Sequence, residues 1–219
     1  MVFRVWTVTQ QKGGAGKTVL ATNLAVQASR QGFKTLLIDL DPQQSATKWW
    51  EAREEEQPLL IKCPYHQLIE NLELAEKQGF DLVIIDTAGR EGLKHTEAIE
   101  KATFCIIPCQ PSLDDCRSAL PTVNTIKQFN IPFAFVVTRC PSSGEDLVET
   151  KSSLSALGLV CSTPTIERKC YKRAYAANQS VVEYDSKDKG AVEIKMIFDW
   201  IHAKEDRLQL QPVREGEIA

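Results

Sequence analysis

Two lysines bracket one run of glycines near the start of the chain. The stretch is Gln10-Gln11-Lys12-Gly13-Gly14-Ala15-Gly16-Lys17-Thr18. Glycine at 13, 14 and 16 lets successive backbone N–H groups converge on an anion, because no Cβ obstructs the turn. The run follows the apolar stretch 3–8 (FRVWTV) and opens a helical pattern, whose N-terminus favours negative charge. A lysine and a threonine closing such a loop suit a nucleoside triphosphate: the ammonium reaches the β- and γ-phosphates and the hydroxyl can ligate Mg²⁺. Gly13, Gly14, Ala15, Gly16, Lys17 and Thr18 are therefore the expected phosphate cradle. Gln11 stands where G-x-x-x-x-G-K-[ST] has its first glycine, so the ordinary pattern fails at one position. A plain glycine-rich turn is the simpler alternative, and the Lys-Thr pair between strand and helix argues against it. None of this gives Lys12 a role.

Carboxylates end two further apolar runs: Asp39 and Asp41 in TLLIDLD, and Asp86 in DLVIID. Open parallel sheets bind ligands outside the carboxyl ends of their strands, which makes all three candidates for the same mouth. Asp86 fits the acid that holds the metal in P-loop ATPases, with Thr18 and Asp39 as the other expected metal positions. Asp41 is expected to position the attacking water. Arg168, Lys169, Lys172 and Arg173 crowd into seven residues beside Glu167. Such a cluster can track a DNA backbone without reading sequence. A solvated helix face, or residues lining the nucleotide, is the alternative.

The elements that must position these groups alternate. Strand-length apolar runs occur at 3–8, 35–39, 81–86, 104–109 and 133–138, separated by stretches of helical character. Residues 17–31 carry Leu20, Leu24 and Val26 at near-helical spacing before Gly32, and residues 68–78 end likewise at Gly79. Strands apolar on both faces, alternating with helices, predict an α/β fold with a mostly parallel twisted sheet covered on both sides. Residues 162–190 read as loop plus a short helix. Residues 190–208 read as a final amphipathic helix with Ile194, Ile197, Phe198 and Ile201 on one face. One domain over 1–208 and a polar tail over 209–219 are expected.

Composition sets outer limits. The 219 residues suffice for one sizeable core, and 26 Lys+Arg against 29 Asp+Glu give a net charge of −3. A nucleic-acid surface would have to be local. No run approaches the roughly 18 apolar residues of a membrane span, and no signal peptide is expected ahead of the first strand. The seven cysteines form no C-x-x-C pair and read as reduced, mostly buried thiols of a cytosolic protein. Lys48-Trp49-Trp50 places adjacent tryptophans on the helix after Pro42, where the two cannot share a face. One is expected in the core and the other is available to a partner.

K-G-G-A-G-K-T at 12–18, D-L-D-P-Q at 39–43 and DLVIIDTAG at 81–89 together resemble the ParA/MinD family of deviant Walker ATPases. The resemblance covers nearly the whole chain. IIPCQPSLDD at 106–115, FVVTR at 135–139 and TIERKCYKRAYAANQSVVEYD at 165–185 extend it towards the short, ParF-like plasmid-partition branch. The resemblance implies a P-loop ATPase that uses ATP and Mg²⁺ and forms a homodimer on ATP. Lys12 would cross that interface to the partner's phosphates, joining Lys17 and Asp41 as the catalytic groups. Arg139 and Pro164 would contact the nucleotide. The implied switch binds DNA non-specifically, works through a centromere-binding or cargo adaptor, and is cytoplasmic and nucleoid-associated. A carboxysome or chemotaxis cluster as cargo, or a metabolic P-loop enzyme, is the alternative. The family's N-terminal operator-binding domain and C-terminal membrane helix are not expected here.

Overall fold

Side chains alternate across a strand, so a strand that is apolar at every position must be covered on both faces. The computed structural model, which describes residues 2–89, 94–142 and 146–210, meets that demand with a layered α/β arrangement. Strand β1 (Arg4–Val8) leads into helix α1 (Lys17–Arg30), and β2 (Thr35–Asp39) into α2 (Ser45–Glu51). There follow β3 (Leu59–Lys62), α3 (Leu68–Lys77), β4 (Leu82–Asp86), α4 (Lys94–Glu100) and β5 (Phe104–Cys109). Helices α5 (Leu113–Ser118) and α6 (Leu120–Gln128) precede β6 (Phe133–Val137), and α7 (Asp146–Ser155) precedes β7 (Leu159–Val160). Helices α8 (Lys169–Ala176), α9 (Val181–Tyr184) and α10 (Lys189–Gln209) close the described chain.

The seven strands form one sheet in the order β3-β2-β4-β1-β5-β6-β7, and every neighbouring pair is parallel. Alternation divides the core. Trp6, Val8, Leu37 and Ile84 face Leu20 and Leu24 of α1 and the apolar stripe of α10. On the other face Val83 and Ile85 meet Leu68 and Leu72 of α3, while Ile107 and Phe135 meet Val123 and Ile126 of α6. Ile194, Ile197, Phe198 and Ile201 are all fully buried, as their spacing predicts. Each such side chain contributes about 1.5–3 kcal/mol relative to exposure, which holds α10 against the sheet.

Register positions the chemistry. Asp39 lies opposite Asp86, and Asp86 lies opposite Val8. Two carboxylates and the root of the glycine loop therefore end on three adjacent strands.

The structure differs from the expected elements at the margins. Edge strands β3 and β7 join the five apolar runs. Residues 162–190 hold two helices, α8 and α9, where one was expected. The tail expected from 209 onwards lies mostly outside the described residues, and α10 runs through Gln209. All seven cysteines are free and buried. Among the described residues no helix is long and apolar enough to cross a membrane.

Candidate functional site

The loop between β1 and α1 is shaped from outside. Gly14 (φ 80°) and Gly16 (φ 94°) take the left-handed conformation that a side chain would strain. The carbonyl of Gly14 accepts from Gln110 Nε2 at 2.8 Å, and that of Ala15 accepts from Thr138 Oγ1 at 2.9 Å. Gly16 O accepts the first helical bond, from Leu20 N at 2.9 Å. A Cβ on Gly89 would lie 3.3 Å from Gly13 Cα and 3.4 Å from Lys17 Nζ, so the turn after β4 closes directly on the loop. Lys17 is buried, and its ammonium donates to Lys12 O at 3.3 Å. Burial lowers its pKa, against the opposing pull of the Asp86 and Asp41 charges. A desolvated cation facing a crevice is a strong anion receptor.

Three carboxylates surround it with different duties. Asp86 is fully buried, and neither carboxylate oxygen makes an ordinary hydrogen bond. Burial pushes its pKa up to about 8; the Thr18 hydroxyl and Lys17 pull against the rise, and the charges of Asp39 and Asp41 add to it. Orphaned buried oxygens beside Thr18 fit a bound cation, which would supply the missing partner. Among the described residues no three His, Cys, Asp or Glu side chains converge as a metal cage. Asp39 is otherwise engaged: Oδ2 accepts from Thr47 N and Oγ1 at 2.9 and 2.8 Å, and Oδ1 accepts from Asp41 N at 3.0 Å. It anchors the turn that presents Asp41. The half-buried Asp41 lies on a second cavity of about 580 Å³ with Lys62, Tyr65 and His66.

Asp86 gives a pH prediction. Its folded pKa lies above its unfolded value, so the nucleotide-free protein takes up a proton on folding. Stability should fall as pH rises from about 4 towards 8, by at most about 1.4 kcal/mol per unit from this group. Asp86→Asn should lose that slope and be the more stable protein at pH 8, as followed by denaturant unfolding without Mg²⁺. Parallel pH profiles for the two proteins would remove the buried-charge account.

Lys12 does not enter its own loop. Its ammonium meets Asp114 Oδ2 at 2.6 Å and Asp115 Oδ2 at 2.8 Å, on the first turn of α5. Ser112 caps that turn, with its hydroxyl accepting from Asp115 N at 3.1 Å and donating to Asp115 Oδ2 at 2.7 Å. The two carboxylates raise the lysine's pKa, so it stays charged, and Lys12 in turn holds Asp114 below the usual carboxylate range.

Beside the loop a cavity of about 520 Å³ runs from Gly16 and Thr18 past Thr138 and Arg139 to Tyr171 and Tyr175. Arg139 has φ 52°, and its N–H donates to Thr165 Oγ1 at 3.1 Å. Thr165 and Ile166 line the cavity, whereas the expected Pro164 is not among its walls. Thr165 and Tyr175 carried no signal in the sequence, whereas Thr138 adjoins Arg139 and Tyr171 lies within the basic stretch for which lining the nucleotide was the alternative.

The basic stretch divides. Arg168 and Lys172, four apart, turn towards this cavity, while Lys169 and Arg173 turn to the other side of α8. Arg168 differs from the expected free DNA contact. Its guanidinium binds Glu193 Oε1 at 2.7 Å, and Glu193 also accepts from Ile166 N and Tyr171 OH. Its charge is spent in holding the cavity wall. Lys172 lies 4.0 Å from Glu167 and is largely solvent-exposed.

Residues 6–181 match the family described as the CobQ/CobB/MinD/ParA nucleotide binding domain. The maintenance of carboxysome distribution protein A of Halothiobacillus neapolitanus is 24% identical, over 88% of this chain and 93% of its own. A protein named ParA from Rhizobium radiobacter is 25% identical, over 78% of this chain and 82% of its own. The septum site-determining protein MinD of Pyrococcus horikoshii, solved with Mg-ADP, superposes with a TM-score of 0.78 at 16% identity. That likeness, which is one of fold, covers 99% of this chain and 100% of the other.

Proposed function

The chain belongs to the CobQ/CobB/MinD/ParA nucleotide-binding family, and from that premise we propose that it is a Mg²⁺-dependent ATPase that dimerises on ATP, binds DNA non-specifically and distributes a cargo through an adaptor protein. The observation that carries the reading is Lys12. A second cation stands beside a phosphate loop already served by Lys17, and it rests on Asp114 and Asp115, outside that loop. In the dimer it leaves these carboxylates for the partner's phosphates, where water is excluded and its charge acts more strongly. ATP lies with its phosphates on residues 13–18 and its base towards Arg139, Thr165 and Tyr171. Mg²⁺ on Thr18, with Asp86 and Asp39 behind it, would neutralise charge on the phosphates. Asp41 orients water towards the γ-phosphate from a turn stiffened by Asp39. Relatives named for plasmid partition and for carboxysome distribution favour cargo positioning over a metabolic reaction. A plasmid or chromosome region is the first choice, and a carboxysome-like cargo the second. The protein would act on the nucleoid in the cytoplasm.

Asp41→Ala separates binding from chemistry. It should keep ATP affinity and ATP-dependent dimerisation, while turnover falls on the order of 10²–10⁴-fold with the loss of the group that positions the water. Sedimentation should then find a long-lived ATP dimer. Turnover at the wild-type rate would remove Asp41 from the mechanism.

A further inference from the structure

Strands β5 and β6 pair with Cys109 opposite Val137. Gln110 and Thr138 are the next residues along these two chains, and Thr138 N donates to Cys109 O at 2.8 Å. Both side chains therefore leave the sheet side by side, next to the phosphate loop. Gln110 Nε2 donates to the Gly14 carbonyl, and the buried Thr138 Oγ1 donates to the Ala15 carbonyl. These two acceptors belong to consecutive peptide units. A trans peptide points its N–H away from its C=O. Drawing the Gly14 carbonyl to Gln110 thus turns the Ala15 N–H away from β5. Drawing the Ala15 carbonyl to Thr138 turns the Gly16 N–H away from β6 in the same manner. Left-handed Gly14 and Gly16 flank Ala15 and let successive N–H groups face one concavity. Thr138 also fits the loop closely: a Cβ on Gly16 would lie 3.7 Å from its Oγ1.

We infer that Gln110 and Thr138 are positioning residues for the nucleotide's phosphates, Gln110 setting the Ala15 N–H and Thr138 the Gly16 N–H before the ligand arrives. The inference rests on the nucleotide-binding reading above and deepens it. Neither side chain needs to touch phosphate, because each acts through a backbone carbonyl. Glycines give the loop many alternative conformations, and the two donors select one of them. A ligand that fits one conformation binds with an affinity scaled by the fraction of molecules that hold it. The two anchors differ in what else they carry. Gln110 begins the short segment that also bears Asp114 and Asp115, the partners of Lys12. Thr138 stands on another strand, away from those carboxylates in sequence, and makes the cleaner test.

The test uses the full chain, with Mg-ADP as the probe so that ATP-dependent dimerisation does not enter the affinity. Calorimetry gives the affinity, and NMR follows the Ala15 and Gly16 amide resonances at saturation. Thr138→Val keeps the shape of the side chain and removes the donor. It should bind Mg-ADP about three- to tenfold more weakly, the effect of one hydrogen bond on the loop equilibrium. Its Gly16 amide should shift less on saturation than that of the wild type. Thr138→Ser keeps the donor and removes a buried methyl, and it should bind better than Thr138→Val. A packing role ranks these two in the opposite order, because the smaller side chain leaves a cavity. Gln110→Met should weaken binding on the same scale and reduce the Ala15 shift. Wild-type affinity in both Thr138→Val and Gln110→Met would overturn the positioning role while leaving the nucleotide site in place. Thr138→Ser binding more weakly than Thr138→Val would do the same. A wild-type protein that binds no Mg-ADP would overturn the nucleotide reading and this inference together.

Discussion

Lys17→Ala protein should fold normally and bind Mg-ATP at least about a hundredfold more weakly than wild type. The ammonium is already desolvated in the nucleotide-free protein, so its burial is settled before ATP arrives. Two charge-assisted bonds to phosphate, at about 1.5–3 kcal/mol each, account for a loss of that size. Removing a buried cation should leave the stability of the nucleotide-free protein unchanged or improved. Titration calorimetry and thermal unfolding on the same samples separate the two effects. Wild-type affinity in the variant would remove the phosphate-loop assignment.

Lys12→Ala should behave differently. Lys17 and the loop amides remain, so the monomer should bind ATP within a modest factor of wild type. Asp114 is exposed and loses only a solvent-screened partner, while the buried Asp115 keeps the Ser112 hydroxyl, which still caps their turn. Dimerisation on ATP should fail, because two sets of phosphates would face each other across a two-fold axis without the cations that separate them. Turnover should fall on the order of 10³-fold or more, the scale of an arginine finger. Measuring ATP affinity, sedimentation and phosphate release on one preparation tests all three statements.

Legibility in the sequence followed burial. Strands β1, β2, β4, β5 and β6 are apolar and buried at nearly every position, and their composition alone marks them. Strand β3 has exposed ends and β7 has two residues, so neither carries a both-faces signal. The turn between β1 and α1 was readable because glycine answers a local geometric need there. Partnerships across the chain were not readable. Lys12 finds Asp114, 102 residues away, and Arg168 finds Glu193 on another helix. The tryptophan pair shows the same limit. Trp49 is buried under the Arg53 guanidinium at 4.4 Å, as one of the two had to be. Trp50, expected to be available to a partner, is half-buried and donates its indole N–H to Pro58 O at 2.7 Å. Residue type told which groups carry charge, and only the fold told which charges are already spent.

The central claim is that Lys12 completes the site of the other subunit, and a mixture of two inactive proteins tests it. In a dimer of Lys12→Ala with Lys17→Ala, the first subunit holds ATP and lacks its own Lys12. The second holds no ATP and offers an intact Lys12. If the lysine acts across the interface, ATPase activity and ATP-dependent association should both recover in part on mixing, above the sum of the separate proteins. Activity that stays at that sum while the two chains demonstrably associate would place Lys12 on its own chain's nucleotide and contradict the account.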